Sequence, residues 1–240
     1  MSICLKDGEN SVAEKFQIEN GVLVKYNGTD SCVKVPENVT VIGKDSFSGN
    51  KELKNVVLPD SVVSLEENAF WFCKVLETVK LSNGLKTIGK KALSCLFSLT
   101  ELELPDSVTE IGESALSDCH KLEKLKLPKN LKSIGRSAFL YCTSLTELEI
   151  PEGVTVIGSN AFSICKNLEV IKIPSSVTEI GERAFECCES LTKIKIPSSV
   201  ELIKNDAFSE CTRLKTISIP KSCKLEKNWK NNCKAKVIFY

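Results

Sequence analysis

Between residues 99 and 104 the chain reads LTELEL, in which polar and apolar residues alternate from Glu101 to Leu104, and then meets Pro105. Alternation at period two marks a strand with one face turned inward. Proline has no N–H to give a neighbouring strand, so it ends that segment. The same arrangement recurs at a fixed spacing. Prolines stand at Pro36, Pro59, Pro105, Pro128, Pro151, Pro174, Pro197 and Pro220, and neighbours lie 23 residues apart except for one gap of 46, where Ser82 takes the missing place. Three positions after each proline slot comes Val39, Val62, Leu85, Val108, Leu131, Val154, Val177 or Val200. Six after it comes Ile or Leu, from Ile42 to Ile203, and eleven after it Phe47, Phe70, Leu93, Leu116, Phe139, Phe162, Phe185 or Phe208. A fixed period of this length is the signature of a repeat architecture.

The pattern predicts the elements of one unit. LTELEL is a strand, and the proline with its next two residues is a turn. "VTEIG" is a second short extended segment. Its glycine, present as Gly43, Gly89, Gly112, Gly135, Gly158 and Gly181, permits a positive φ where the chain turns again. "ESAL" or "ERAF" is too short for a stable α-helix and predicts a single helical or 3₁₀ turn. One unit buries about eight apolar side chains, too few to offset the ordering of its residues. Units must therefore stack, which predicts a right-handed solenoid whose parallel sheet is built from segments such as Thr100–Leu104 and Thr146–Ile150.

The motif L-x-x-L-x-L-P-x-x-V-x-x-I-G-x-x-A-F-x-x-C resembles the BspA-type leucine-rich repeats, and the resemblance covers residues 36–219. It extends to "FQIENGVLVKYNGT" at 16–29, similar to that family's lead-in hairpin, with Asn20-Gly21 as a two-residue turn. The departures are Glu66 and Lys204 in the glycine slot and Ser82 in the proline slot. The expected organisation is one continuous horseshoe-like domain: an N-terminal cap over 1–35, eight repeats over 36–219 and a C-terminal cap over 220–240. The sheet is expected on the concave side. The resemblance implies a protein-binding role and, in surface-exposed relatives, adhesion to host matrix proteins.

Composition narrows the partners. Lys+Arg and Asp+Glu number 32 and 31, a net charge of +1, which gives no reason to expect nucleic acid. No run approaches the roughly 18 apolar residues of a membrane span. The opening "MSICLKDGENSVAEKF" has no apolar core of a secretory signal, so a cytoplasmic monomer is expected. The alternative is a cell-surface or secreted adhesin, as the resemblance implies. The charge balance breaks at the far end, where Lys215, Lys221, Lys224, Lys227, Lys230, Lys234 and Lys236 face the single acid Glu226.

Candidate chemistry is sparse. Of 12 cysteines, six stand fourteen after the proline slot: Cys73, Cys119, Cys142, Cys165, Cys188 and Cys211. Stacking places them in a column at ~4.7–4.9 Å, a separation that a disulfide tolerates. Consecutive neighbours cannot all pair, so the column reads as buried, reduced thiols, with at least ten of the twelve unbonded. The spacing is not that of a zinc site, and His120 is the only histidine. A Cys119–His120 dyad would lack an orienting third group. No phosphate-binding glycine loop occurs. The expectation is no enzyme, no cofactor and no metal.

Two surfaces remain. On the strand face the outward slots alternate in sign, as Glu101–Lys124–Glu147 and Lys80–Glu103–Lys126–Glu149–Lys172, which reads as a self-neutralising sheet or as a recognition surface. Beyond these, Lys193, Lys195 and Lys215 follow one another without acidic neighbours and would steer an acidic partner to that end. Away from the strands, Trp71, Phe72, Leu140, Tyr141 and Ile164, with Leu96 and Phe97, either tuck over the core or line one flank as a contact strip. The candidate partner contacts are Lys193, Lys195, Lys215, Trp71, Phe72 and Tyr141.

Overall fold

The computed structural model describes residues 12–240, and the reading of the first eleven residues as lacking a leader lies outside these. The chain is a parallel-strand β-solenoid of about nine turns. It opens on a hairpin, Phe16–Glu19 against Val22–Tyr26, closed by Asn20 and Gly21 at φ 50° and 80°. Both central residues lie in the left-handed region, as the Asn-Gly pair predicts. Val22–Tyr26 then pairs in parallel with Val41–Ile42.

From there every coil contributes to two ladders. The "VTEIG" segments supply two-residue strands, such as Glu110–Ile111 and Ser133–Ile134, and together with the hairpin these form one continuous sheet of 11 strands ending at Lys224–Leu225. The L-x-x-L-x-L segments supply strands such as Glu101–Glu103 and Glu147–Glu149. These pair in parallel in exact 23-residue register, Glu101 with Lys124 and Glu147 with Val170. This second ladder is not continuous. It breaks between Thr78–Lys80 and Glu101–Glu103, between Lys124–Lys126 and Glu147–Glu149, and between Val170–Lys172 and Lys193–Lys195.

The turn segments differ from the sequence expectation. "ESAL" and its equivalents are hydrogen-bonded turns and not helical or 3₁₀ turns; the only helix among the described residues is Val12–Lys15. Each unit places a left-handed residue nine after the proline slot (Asp45, Asn68, Lys91, Ser114, Ser137, Asn160, Arg183, Asp206). A second follows thirteen after it (Gly49, Phe72, Cys95, Asp118, Tyr141, Ile164, Cys187, Glu210). A left-handed residue every fourth position cannot continue a right-handed helix. The N–H of the left-handed residue is given to the neighbouring coil instead: Asn68 donates to the Lys90 carbonyl at 2.9 Å and Phe72 to that of Ser94 at 3.0 Å.

The repeating glycine also has a different reason. Gly89, Gly112, Gly135, Gly158 and Gly181 do not hold a positive φ; a Cβ on Gly158 would lie 2.7 Å from the Ile134 carbonyl oxygen and 2.8 Å from the Gly135 carbonyl carbon. Close approach of stacked backbones selects glycine there. Ser82, in the proline slot, is buried, and its hydroxyl donates to the Val62 carbonyl. In neighbouring coils that role falls to a serine two residues after the proline, as Ser61 on Val39 at 2.7 Å, but this coil carries Gly84 there.

The core is a set of columns. Phe139, Phe162, Phe185 and Phe208 stack with centroids 5.3, 5.5 and 5.2 Å apart and planes within 12°, and Trp229 closes the row edge-on. The cysteine column runs alongside. Each of its thiols is buried and donates to a backbone carbonyl of the preceding coil, Cys165 to Phe139 at 3.3 Å and Cys211 to Phe185 at 3.1 Å. Ten described cysteines are free, and Cys32 is disulfide-bonded.

Candidate interaction surfaces

The cysteine column is closed to chemistry. Burial pushes the thiols of Cys73, Cys119 and Cys165 up to about 12, and holds those of Cys142 and Cys188 well above the ordinary range. A neutral buried thiol is not a nucleophile. Cys119 points inward to the Leu93 carbonyl at 3.2 Å, while His120 is exposed and bonds elsewhere, so the two form no dyad. Among the described residues no group of three or more His, Cys, Asp or Glu could hold a metal ion.

The flank assembles what the sequence left scattered. Trp71, Phe72 and Tyr141 are 37, 37 and 39 % exposed, whereas Leu96 turns into the core. Ring contacts join them through two residues of the intervening coils. Trp71 meets Phe72 at 5.4 Å, Phe72 meets Phe97 edge-on at 5.9 Å, Phe97 stacks on His120 at 5.4 Å, and His120 meets Tyr141 edge-on at 6.3 Å. The strip crosses four consecutive coils. Lys74 places its ammonium 4.2 Å from the Phe72 centroid. His120 Nδ1 lies 3.0 Å from the Tyr141 carbonyl oxygen, which can only accept, so Nδ1 donates. His120 was visible in the sequence as a lone histidine; its partnership with Phe97 and Tyr141 was not. The signal lies in the offsets, since residues 13 and 15 after the proline slot emerge on the same side of the turn.

Phe72, Tyr141 and Ile164 hold φ of 63, 63 and 60°. Bulky and β-branched residues are disfavoured there by ~1–2 kcal/mol, where glycine or asparagine would fit without strain. For Phe72 and Tyr141 that cost is not returned by burial.

On the strand face only part of the charge alternation becomes contact. Among the described residues Glu103 pairs with Lys126, and Glu149 with Lys172 at 3.3 Å. Lys80 with Glu103 and Lys126 with Glu149 straddle breaks in the ladder. Beneath those breaks Val79, Leu81, Leu125 and Ile173 are only partly buried. An open cleft of about 1030 Å³ reaches Val79, Leu102 and Leu125 there, rimmed by Glu101, Glu103, Lys124 and Lys126.

At the far end Lys193 and Lys195 project from the strand Lys193–Lys195, which pairs with Thr216–Ile219. Lys215 donates its N–H to Thr192 at 2.9 Å and lies just before that strand. The structure thus brings the three lysines to one patch, 40 or more residues along the chain from the aromatic flank. Among the described residues no helix is long and apolar enough to cross a membrane.

Comparison with known proteins agrees with this geometry. The chain matches the family model for the BspA type leucine rich repeat region, in six copies, over residues 25–146 and 132–239. No curated protein matches it. Among solved structures, a leucine-rich repeat protein from Bacteroides ovatus superposes with a TM-score of 0.78 at 28% identity, covering 87% of this chain and 55% of its own. The chain therefore spans about half the length of that relative. The leucine-rich repeat protein of T. pallidum gives a TM-score of 0.70 at 28% identity, covering 75% of this chain and 89% of its own. A family model matched over most of the chain's length places it in one family: the chain belongs to the BspA-type leucine-rich repeat proteins.

Proposed function

We propose that the chain is a non-enzymatic module that docks a protein partner along the flank formed by Trp71, Phe72, Phe97, His120 and Tyr141. The observation that carries this reading is the unbroken run of ring contacts across four coils, with Trp71, Phe72, His120 and Tyr141 exposed and Phe97 half-buried between them. Contiguous apolar surface of this kind is rare on a soluble face unless something covers it. Trp and Tyr are also the residues most often found at the energetic centre of an interface.

Ring orientation favours protein over carbohydrate. Phe97 and His120 lie 11° from parallel, so each takes up one face of the other. Sugars stack on ring faces, while side chains of a protein pack against edges equally well. The family's repeat scaffold suits protein interaction, and four coils at ~4.8 Å give a strip long enough for the core of a standard interface.

The test is capture from the source cell with wild type, with Trp71→Ala/Tyr141→Ala and with Lys193→Glu/Lys195→Glu/Lys215→Glu. The flank reading expects the captured partner to disappear with the aromatic pair and to persist with the lysine triple. The reverse result would move the main interface to the basic end.

A further inference from the structure

The aromatic flank carries a cation of its own. Lys74 holds its ammonium 4.2 Å from the centroid of Phe72 and 5.9 Å from that of Phe97. Ring faces attract a cation so placed. They fix the position of the charge but give its three N–H groups no oxygen. Lys74 is exposed, and among the described residues it joins no ion pair.

A second lysine stands beside it. Lys51 is one period before Lys74, fifteen after its proline slot as Lys74, Phe97 and His120 are after theirs. The row at this offset therefore runs from two cations into two rings. Lys51 is exposed too, and the neighbouring Glu52 forms an ion pair with neither lysine. Like charges on adjacent coils repel. Further along the same row the chain does neutralise its lysine, since Lys166 meets Glu189 at 3.1 Å. At the head of the aromatic strip the counter-charge is left to another molecule.

Desolvation decides what that molecule brings. A partner that covers Phe72 and Phe97 also covers the ammonium lying over them. Burying a charge without a counter-charge is far more costly than burying an aromatic ring is favourable. An apolar segment alone would meet that cost, and a basic one would add repulsion to it. An acidic side chain removes it and forms a charge-assisted hydrogen bond with Lys74.

We propose that the partner segment seated on this flank places an Asp or Glu carboxylate on Lys74, with Lys51 adding to the attraction, and lays a large apolar side chain along Phe97 and Tyr141. Three coil steps separate Phe72 from Tyr141, about 14 Å at ~4.8 Å each, which roughly four extended residues span. The acid and the apolar residue therefore lie within about four positions of one another in an extended segment. The inference rests on the flank reading given above and adds the chemistry of what docks there.

The experiment selects a random twelve-residue peptide library, displayed on phage, on the immobilised full chain. Recovered peptides are synthesised with fluorescein and read by anisotropy against wild type, Trp71→Ala/Tyr141→Ala, Lys74→Gln and Lys193→Gln/Lys195→Gln. Peptides that need the aromatic pair are expected to carry Asp or Glu within four positions of a large apolar residue. They should bind Lys74→Gln at least about tenfold more weakly, bind wild type more weakly as salt rises, and bind Lys193→Gln/Lys195→Gln unchanged. Exchanging the peptide's acid for its amide should cost a similar factor against wild type and little more against Lys74→Gln, because the two changes remove one contact. Flank-dependent peptides that lack acids, or that bind Lys74→Gln as tightly as wild type, overturn this proposal and leave the flank reading standing. If no recovered peptide is weakened by Trp71→Ala/Tyr141→Ala, the flank reading falls as well. Binding of polygalacturonate that disappears in Lys74→Gln, with no flank-dependent peptide recovered, gives the flank to an acidic polysaccharide instead.

Discussion

The buried cysteine column makes this protein sensitive to alkali. Six thiols, Cys73, Cys119, Cys142, Cys165, Cys188 and Cys211, are shielded from water. Burial raises each from an ordinary 9.0, those of Cys73, Cys119 and Cys165 to about 12. In the unfolded chain these thiols ionise near 9, while in the folded chain burial keeps them neutral to higher pH. The contribution of each is therefore complete below pH 9 and is lost as the pH rises above it. At pH 10 the unfolded state gains ~1.4 kcal/mol per ionised thiol. Six such thiols remove on the order of 8 kcal/mol between pH 8 and pH 10, comparable with the whole stability of an ordinary domain. The assay is urea unfolding followed by circular dichroism at a series of pH values, with reductant present. Cys165→Ala is the control for other alkaline titrations, since it should reduce the loss by about one sixth. A fall of less than ~2 kcal/mol over that interval, or an unchanged slope in Cys165→Ala, would refute the column as a set of neutral buried thiols.

Other outcomes follow from the same structure. Alkylation of the native protein, read by mass spectrometry, should label Cys95 and Cys187, which are half-buried, well before any column thiol. Thiol titration under denaturing, non-reducing conditions should find at least ten free cysteines, matching those free in the structure. Phe162→Ala removes the middle of the stacked row and should cost ~3–5 kcal/mol, lowering Tm by roughly 6–20 °C in calorimetry. Gly158→Ala should cost ~1–3 kcal/mol because its Cβ meets backbone at 2.7 Å. Gly49→Ala, at φ +69° with open space around it, should cost only about 1 kcal/mol; equal urea midpoints for the two variants would contradict the close-approach argument.

The sequence by itself determined the coil. In a solenoid each position meets the same position one period away, so a column of Phe, Val, Ile or Cys announces its own burial, and the 23-residue register of the strands follows from the proline spacing. The Asn20-Gly21 turn was legible for the same kind of reason, because a two-residue hairpin turn depends on local chemistry alone. Only the tertiary structure decided the rest. The glycine slot is governed by a backbone one coil away and not by its own φ. The left-handed residues arise because the turn must hand its N–H groups to the next coil, and no local preference of Phe72 or Tyr141 predicts that. Outward charges on the strand face alternate in sequence, yet only some of them touch: Glu103 meets Lys126 across a closed junction, whereas Lys80 and Glu103 face each other across a break. The aromatic strip joins residues at three different offsets in four coils. Periodicity specifies what faces inward, whereas the direction of side chains in irregular turns and at the ends is set by contacts between coils, which is where the candidate sites lie.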